Sequence, residues 1–248
     1  GNGSIRIIYD GTIAHDNGEA SEDRMYGTSQ FNPNYNNNMY VGYMYTSGNA
    51  HGLGTSSTIK TANDNFYKNK LTGYSNYIDT SSGFCGARST LNNQSGVGTG
   101  TVSTYYKGYL RVSTSTPSLK CENTSDYYTI GNASSGNKAL TIGLITADEV
   151  LFAGSSGSTF DGAYNHQKST PNAYLTIGQH FWTMTPAGYY NPFGSTNWVS
   201  RVFYVSTSGY FDDFDANGTL VLRPVINLKN TLKFTGDGTK NNPYIPSL

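Results

Sequence analysis

The sequence predicts an α+β fold in which two helices sit among short antiparallel strands and long irregular loops. Three observations predict it. One apolar pattern at helical spacing and one helix-capping motif mark the helices. Short runs of β-branched and aromatic residues, separated by Gly- and Asn-containing turns, mark the strands. Long stretches of Gly, Ser and Asn without periodicity connect them. A single domain over residues 1–248 is expected, because neither an internal repeat nor a shift of composition marks a linker.

Taken in order, Ser4 to Tyr9 reads as a strand, and Gly1-Asn2-Gly3 before it is turn chemistry that implies a preceding strand. The Asn-, Gly- and Ser-rich stretch to Asn38 reads as loop, and Met39 to Tyr45 as a strand. A helix is predicted from Thr58 to Leu71, with Ser57 as N-cap, Ile59, Ala62, Phe66 and Leu71 on one face, and Gly73 as its stop. Tyr105 to Val112 reads as a strand and Lys138 to Ile145 as a mostly buried segment. Thr146-Ala147-Asp148-Glu149 is a capping box opening a second, shorter helix that Gly154 ends. The last third is β-like: Phe181 to Met184, Val199 to Val205, Leu220 to Leu228, and Leu232 to Phe234. Turns are expected at Ser208-Gly209, Asn217-Gly218 and Gly236-Asp237-Gly238.

Charged residues make up 13% of the chain, half the usual ~25%, and sixteen basic side chains balance sixteen acidic ones. This balance argues against a nucleic-acid binder and equally against a polybasic membrane-surface protein. Tyr, Ser, Gly and Asn carry the polar load instead, the residue types favoured in antibody loops for contact area and adaptable hydrogen bonding. Cys85 and Cys121 lie in turn-rich stretches and form no C-x-x-C pair, so one disulfide in an extracellular domain is expected over two free thiols. No run approaches the ~18 apolar residues of a membrane span. No signal peptide is visible, so any leader or anchor is expected to lie outside this chain.

Five segments in order carry a resemblance: Gly3 to Gly11, Ile142 to Glu149, Phe181-Trp182-Thr183-Met184-Thr185-Pro186, Leu222-Arg223-Pro224-Val225-Ile226-Asn227-Leu228, and Gly236 to Thr239. Together they resemble a family of bacterial surface and pilin-like proteins with a C-type-lectin-like fold. The variable proteins of diversity-generating retroelements and the formylglycine-generating enzymes share that fold. The resemblance implies that Trp182, Pro186, Arg223 and Asn227 are framework residues. It also implies an upstream strand, whose absence here would leave a sheet edge open.

In the diversified relatives, variable positions lie between the Trp segment and the Arg-Pro-Val segment. Here that interval holds Tyr189, Tyr190, Asn191, Phe193, Ser195, Asn197, Ser200, Arg201, Tyr204, Ser206, Ser208, Tyr210, Asp212 and Asp213. These are residue types that adenine substitution in Asn-type codons generates, and they form a paratope-like mixture of aromatic anchors and small polar groups. The expected function is extracellular ligand binding or adhesion, to a protein or glycan on another cell or phage. The alternative is the globular head of a pilin-like filament or surface assembly joined through an N-terminal segment.

No catalytic constellation is read. Cys85 and Cys121 both precede the Trp182 segment, unlike the late cysteines of formylglycine-generating enzymes, and His15, His51, His166 and His180 lack metal-site spacing. Gly154-Ser155-Ser156-Gly157 is out of register for a nucleophile elbow. No cofactor is expected. Calcium at Asp213, Asp215 and Asn217 is the lesser alternative, since Gly218 fits the sixth position of a calcium loop but Pro224 stands where a bidentate Glu is needed. Asn-x-Ser/Thr acceptors occur at Asn2, Asn93, Asn123, Asn132 and Asn217 and matter only in a glycosylating host.

Overall fold

The computed structural model describes residues 3–91, 94–100, 102–128, 142–154, 174–194 and 196–248. Of the expectations above, Gly1-Asn2, the acceptors Asn93 and Asn132, residues 138–141, Ser155 to Gly157, His166, Ser195 and the side chain of Phe193 lie outside them. Among the described residues no helix is long and apolar enough to cross a membrane.

The architecture is α+β. In chain order the elements are β1 Ile5–Ile8, β2 Gly27–Gln30, β3 Met44–Tyr45, β4 Thr55–Ser56, α1 Thr58–Phe66, β5 Phe84–Cys85, β6 Thr104–Tyr105, α2 Lys107–Thr114, β7 Tyr127–Tyr128, β8 Ile142–Gly143 and α3 Ala147–Phe152. Then follow β9 Phe181–Tyr190, β10 Val199–Val205, β11 Phe211–Asp215, β12 Thr219–Leu222, β13 Val225–Leu228, β14 Lys233–Thr235 and β15 Ile245–Ser247. The main sheet runs β11-β10-β9-β12-β2, with β6 also on β9, and a second sheet runs β1-β13-β8. Strands β14 and β15 form a separate hairpin.

Helix α1 begins as its sequence dictates, with the Ser57 hydroxyl accepting from the Lys60 N–H at 3.2 Å. Gly73 does not end it. The chain widens into a π-helical turn over Tyr67–Leu71 and tightens into 3-10 turns over Thr72–Tyr77. The stop comes at buried Ile78, whose backbone turns extended and bridges Leu228. Helix α3 carries the expected capping box, with Thr146 Oγ1 accepting from Glu149 N and the Glu149 carboxylate accepting from Thr146 N, and Gly154 follows at φ +94°.

Four strand expectations change. Tyr105 to Val112 is mostly helix α2, giving three α-helices rather than two among the described residues. Tyr106, Tyr109 and Val112 recur every three residues and turn to the core, and Gly108 lets the helix sit so close to β9 that a Cβ there would lie 2.4 Å from Thr185 Cγ2. Met39 to Tyr45 is a 3-10 turn, Asn38–Val41, followed by the two residues of β3. Phe181 to Met184 extends through Tyr190, buried along nearly its whole length. Leu220 to Leu228 breaks at Arg223-Pro224 into β12 and β13, which belong to different sheets. Pro224 has no N–H to give a ladder, and Arg223 turns inward.

The expected framework residues are buried. Trp182, fully buried, donates from its indole to Ser29 O at 2.9 Å, tying β9 to β2. Arg223 donates to Tyr9 O, Leu175 O and Asp10 Oδ1 at 3.1, 2.8 and 2.6 Å. Asn227 accepts from Arg6 Nε and donates to Ser82 O, both at 3.0 Å. Pro186 lies within β9 opposite Val202, where the β9–β10 register shifts. Cys85 and Cys121 form a disulfide that ties β5 to the segment before β7.

The loop from Asp10 to Arg24 is knotted around Asp23, which accepts from Thr12 N, Thr12 Oγ1 and Ile13 N. Gly11, at φ +106°, is required there, since a Cβ would stand 2.3 Å from Asp23 Oδ2. The buried His15 ring lies between Asp23 (3.1 Å) and Glu19 (3.3 Å). Its bond to Asp23 raises its pKa against the opposing effect of burial. The Asp16 N–H, then His15, hold Glu19 down to about 2. A raised histidine contributes stability that is complete below its ordinary value of ~6.5 and is lost as pH rises through the folded value. Urea unfolding is therefore expected to show stability falling from pH 6 toward pH 8. His15→Gln should flatten that slope, and an unchanged slope would assign it to other groups.

Candidate ligand-binding surface

The interval expected to bind ligand forms the end of β9 and the β10–β11 hairpin, with Arg201 opposite Asp215, Phe203 opposite Asp213 and Tyr204 opposite Asp212. Alternation along β10 puts Arg201 and Phe203 on one face and Tyr204 on the other, so the expected residues do not share one surface.

The first face is an aromatic and ionic cradle. The Tyr190 hydroxyl donates to Asp213 Oδ2. Arg201 donates to the Tyr190 hydroxyl at 3.2 Å and to the Asp213 carbonyl at 2.6 Å, and its Nε lies 3.2 Å from Asp215 Oδ1. The Tyr190 ring carries the Arg201 guanidinium over its face at 5.5 Å and is stacked by Tyr105 at 5.3 Å. Tyr105 in turn meets Tyr109 of α2, at 4.8 Å between centroids. Burial raises the Tyr190 pKa, with a further contribution from the Asp213 charge, and pushes Tyr109 up to about 12. Both hydroxyls therefore stay protonated donors at neutral pH. Burial also raises Asp215, against the pull of Arg201.

On the second face Tyr204 donates to Asp212 Oδ2 at 3.3 Å and meets the His180 ring edge-on at 5.1 Å. Phe214 lies there over Trp182, at 6.3 Å.

Burial sorts the expected residues. Asn197 and Ser208 are exposed, and Tyr190, Asn191, Arg201, Tyr204, Tyr210 and Asp212 are half-buried. Tyr189, Ser200, Ser206 and Asp213 are buried. Tyr189 donates to Asn36 O, the Ser200 hydroxyl donates to Asn37 O, and the Ser206 hydroxyl accepts from Ser208 N and Tyr210 N to close the hairpin turn. These four are built into the support and do not present side chains to a ligand. Tyr105 and Tyr109 are not among the residues that the sequence marks for the site. They enter from β6 and α2, more than 80 positions before Tyr190, and only their aromatic character could have flagged them.

The calcium alternative meets a specific obstacle. The Asp213 carboxylate is taken by Tyr190 and lies 3.7 Å from Arg201, and Asp215 faces Arg201. Asn217-Gly218 forms a tight turn, with Gly218 N donating to Asp215 O at 2.8 Å. Among the described residues no group of three or more His, Cys, Asp or Glu converges on a metal-sized site.

Comparison of the chain with protein-family models, with curated proteins and with solved structures gave no match.

Proposed function

We propose that this chain is a non-enzymatic, extracellular ligand-binding domain with a C-type-lectin-like fold, which uses the Tyr105–Tyr190–Arg201 cradle to hold a protein or glycan on another cell or phage. The observation that carries the reading is the cradle itself. Half-exposed aromatic rings are fixed in place by a buried Arg–Asp network, so they offer contact area at little cost in conformational entropy. The guanidinium held over the Tyr190 ring adds a cation–π partner that fixes the stacking surface. Exposed Asn197 and half-buried Asn191 flank the cradle on the loop between β9 and β10 and supply the adaptable polar rim.

The finer reading is that this surface is diversified by a retroelement. Diversification has to spare the buried support, because a buried Asp213 or Ser206 cannot change without disturbing the hairpin.

The test has two arms. Fluorescently labelled chain is applied to an array of glycans and bacterial surface proteins, and Tyr105→Ala is expected to weaken every positive signal at least tenfold, as for an interface anchor. Sequencing the gene across one population is expected to place non-silent changes at Asn191, Asn197, Ser208, Tyr210 and Asp212 and to spare Tyr189, Ser206 and Asp213. An array signal indifferent to Tyr105→Ala overturns the cradle. Changes spread evenly over the chain, or absent, overturn the diversification.

A further inference from the structure

A lysine ordinarily buries its aliphatic stem and keeps its ammonium in water. Lys60 of α1 does not: its whole side chain is 0% exposed. Its Nζ lies 2.7 Å from Asp64 Oδ1 and 2.5 Å from Asp64 Oδ2, one helical turn on. Residues four apart are neighbours on a helix surface, so the two side chains meet without distorting α1.

The surroundings suit an ion pair poorly. The Tyr128 ring lies 5.0 Å from Nζ, and the Tyr43 ring meets Tyr128 edge-on at 5.9 Å, both rings being buried. Desolvating two charges is offset only when every remaining donor and acceptor is satisfied. An ammonium has three N–H donors, and among the described residues Nζ donates to Asp64 alone. Burial lowers the Lys60 pKa against the opposing Asp64 charge, and it raises that of Asp64 against the opposing Lys60 charge. Both shifts favour a neutral amine beside a neutral acid. A desolvated lysine amine is an activated nucleophile, and holding it against its target replaces a bimolecular encounter.

We propose that Lys60 and Asp64 condense into an amide, Nζ bonded to Cγ, as a covalent staple across one turn of α1. The ammonium first passes a proton to the carboxylate. The amine lone pair then attacks Asp64 Cγ, the Nζ–Cγ bond forms and the Cγ–OH bond breaks. The hydroxyl leaves with one amine proton as water, so nothing is oxidised or reduced and no co-reactant is consumed. Asp64, 16% exposed, gives that water an exit, while the buried lysine side excludes water from the reverse hydrolysis. The neighbouring Asn63 is held elsewhere, its amide nitrogen donating to Tyr43 Oη and Gly143 O, both at 2.9 Å. The staple sits just before the helix widens into its π-helical turn at Tyr67–Leu71. None of this rests on the cradle reading.

The test is the intact mass of the full chain, unfolded in urea so that ion pairs dissolve. The main species is expected to be lighter than the disulfide-bonded sequence by one water. Trypsin should fail to cut after Lys60, and fragmentation of that peptide should release no pieces divided between Lys60 and Asp64. Lys60→Arg keeps the positive charge without the amine, and should show its full mass whether or not it folds as well. Three results overturn the proposal. One is full mass after prolonged incubation of the folded chain at neutral pH. Another is loss of ammonia in place of water, which would make Asn63 the partner. The third is a loss of water that persists in Lys60→Arg or maps elsewhere, as to a dehydrated aspartate at Asp237-Gly238.

Discussion

Asp10→Ala is expected to destabilise the fold by about 3 kcal/mol, the lower end of what breaking a buried ion pair costs. Two guanidiniums, Arg24 and Arg223, are each 1% exposed, and both end on this carboxylate. Arg24 reaches Asp10 with Nε at 2.8 Å and Nη2 at 3.2 Å, and Arg223 reaches it with Nη2 at 2.6 Å. Their remaining donors go to the carbonyls of Tyr9, Glu19, Tyr174, Leu175 and Thr176. Those carbonyls satisfy hydrogen bonds but carry no countercharge. Burial pulls the Arg223 pKa down to about 10, with Asp10 opposing the fall and Arg24 adding to it. Removing Asp10 leaves two like charges in a low-dielectric site with nothing between them.

The lower end of the range applies because Asp10 is itself 42% exposed, so water screens part of its effect. In a chain of this size about 3 kcal/mol corresponds to a fall of roughly 6–12 °C in Tm. Asp10→Asn keeps an acceptor and loses the charge, so the gap between Asn and Ala separates hydrogen bonding from charge. A loss under about 1 kcal/mol for Ala would show that the carbonyl ring alone stabilises both arginines.

That hub shows where sequence reading stops. The capping box of α3 and the Ser57 cap of α1 were legible because each is a contact within three residues. Arg223 could be marked as framework, but its partners lie some 50 and 210 positions away, and nothing in the chain announces that Arg24 shares Asp10 with it. The break of Leu220 to Leu228 follows from the same side chain. Its inward turn, with the missing N–H of Pro224, passes the chain from one sheet to the other, and apolar periodicity continues across the break. Tyr105 to Val112 has the composition of a strand, yet it is mostly helix, with Gly108 packed closely on β9. Lys60 illustrates the limit for charge. It lies on the buried side of α1, paired with Asp64 four residues on, where a lysine would ordinarily mark the solvent face.

In the candidate site, residue types were legible and orientation was not. The interval between the Trp and Arg-Pro-Val segments does contain the Tyr190–Arg201–Asp213 network. Which of its members face water depends on what covers each side of β9 and β10, and that cover comes from α2, β6 and the loop before β3. Alternation within a strand predicts two faces, but only the neighbours decide whether either is open.

Trp182→Ala is expected to cost about 4 kcal/mol, the midpoint for deleting a buried aromatic side chain. The indole is fully buried, with Phe31 edge-on at 5.6 Å and Phe214 tilted over it at 6.3 Å. Its loss empties the space between β2, β9 and β11 and leaves Ser29 O without the indole donor. Trp182→Phe fills much of that space but still strands the carbonyl, so a cost of about 1–2 kcal/mol is expected for the lost hydrogen bond and the residual gap. Urea unfolding of the two variants measures both quantities. A Phe variant as damaged as the Ala variant would mean that the Ser29 contact, and not volume, dominates. Trp182 lies on the face of the main sheet that carries Tyr204 and Phe214, away from the cradle of Tyr105, Tyr190 and Arg201. Below its unfolding transition, Trp182→Ala should therefore bind array ligands with unchanged affinity per folded molecule, whereas Tyr105→Ala, compared per folded molecule in the same way, should lose binding. Support and surface are separable if the two variants divide in this way, and a Trp182→Ala chain that stays folded but no longer binds would place the ligand on the opposite face, at Tyr204 and Asp212.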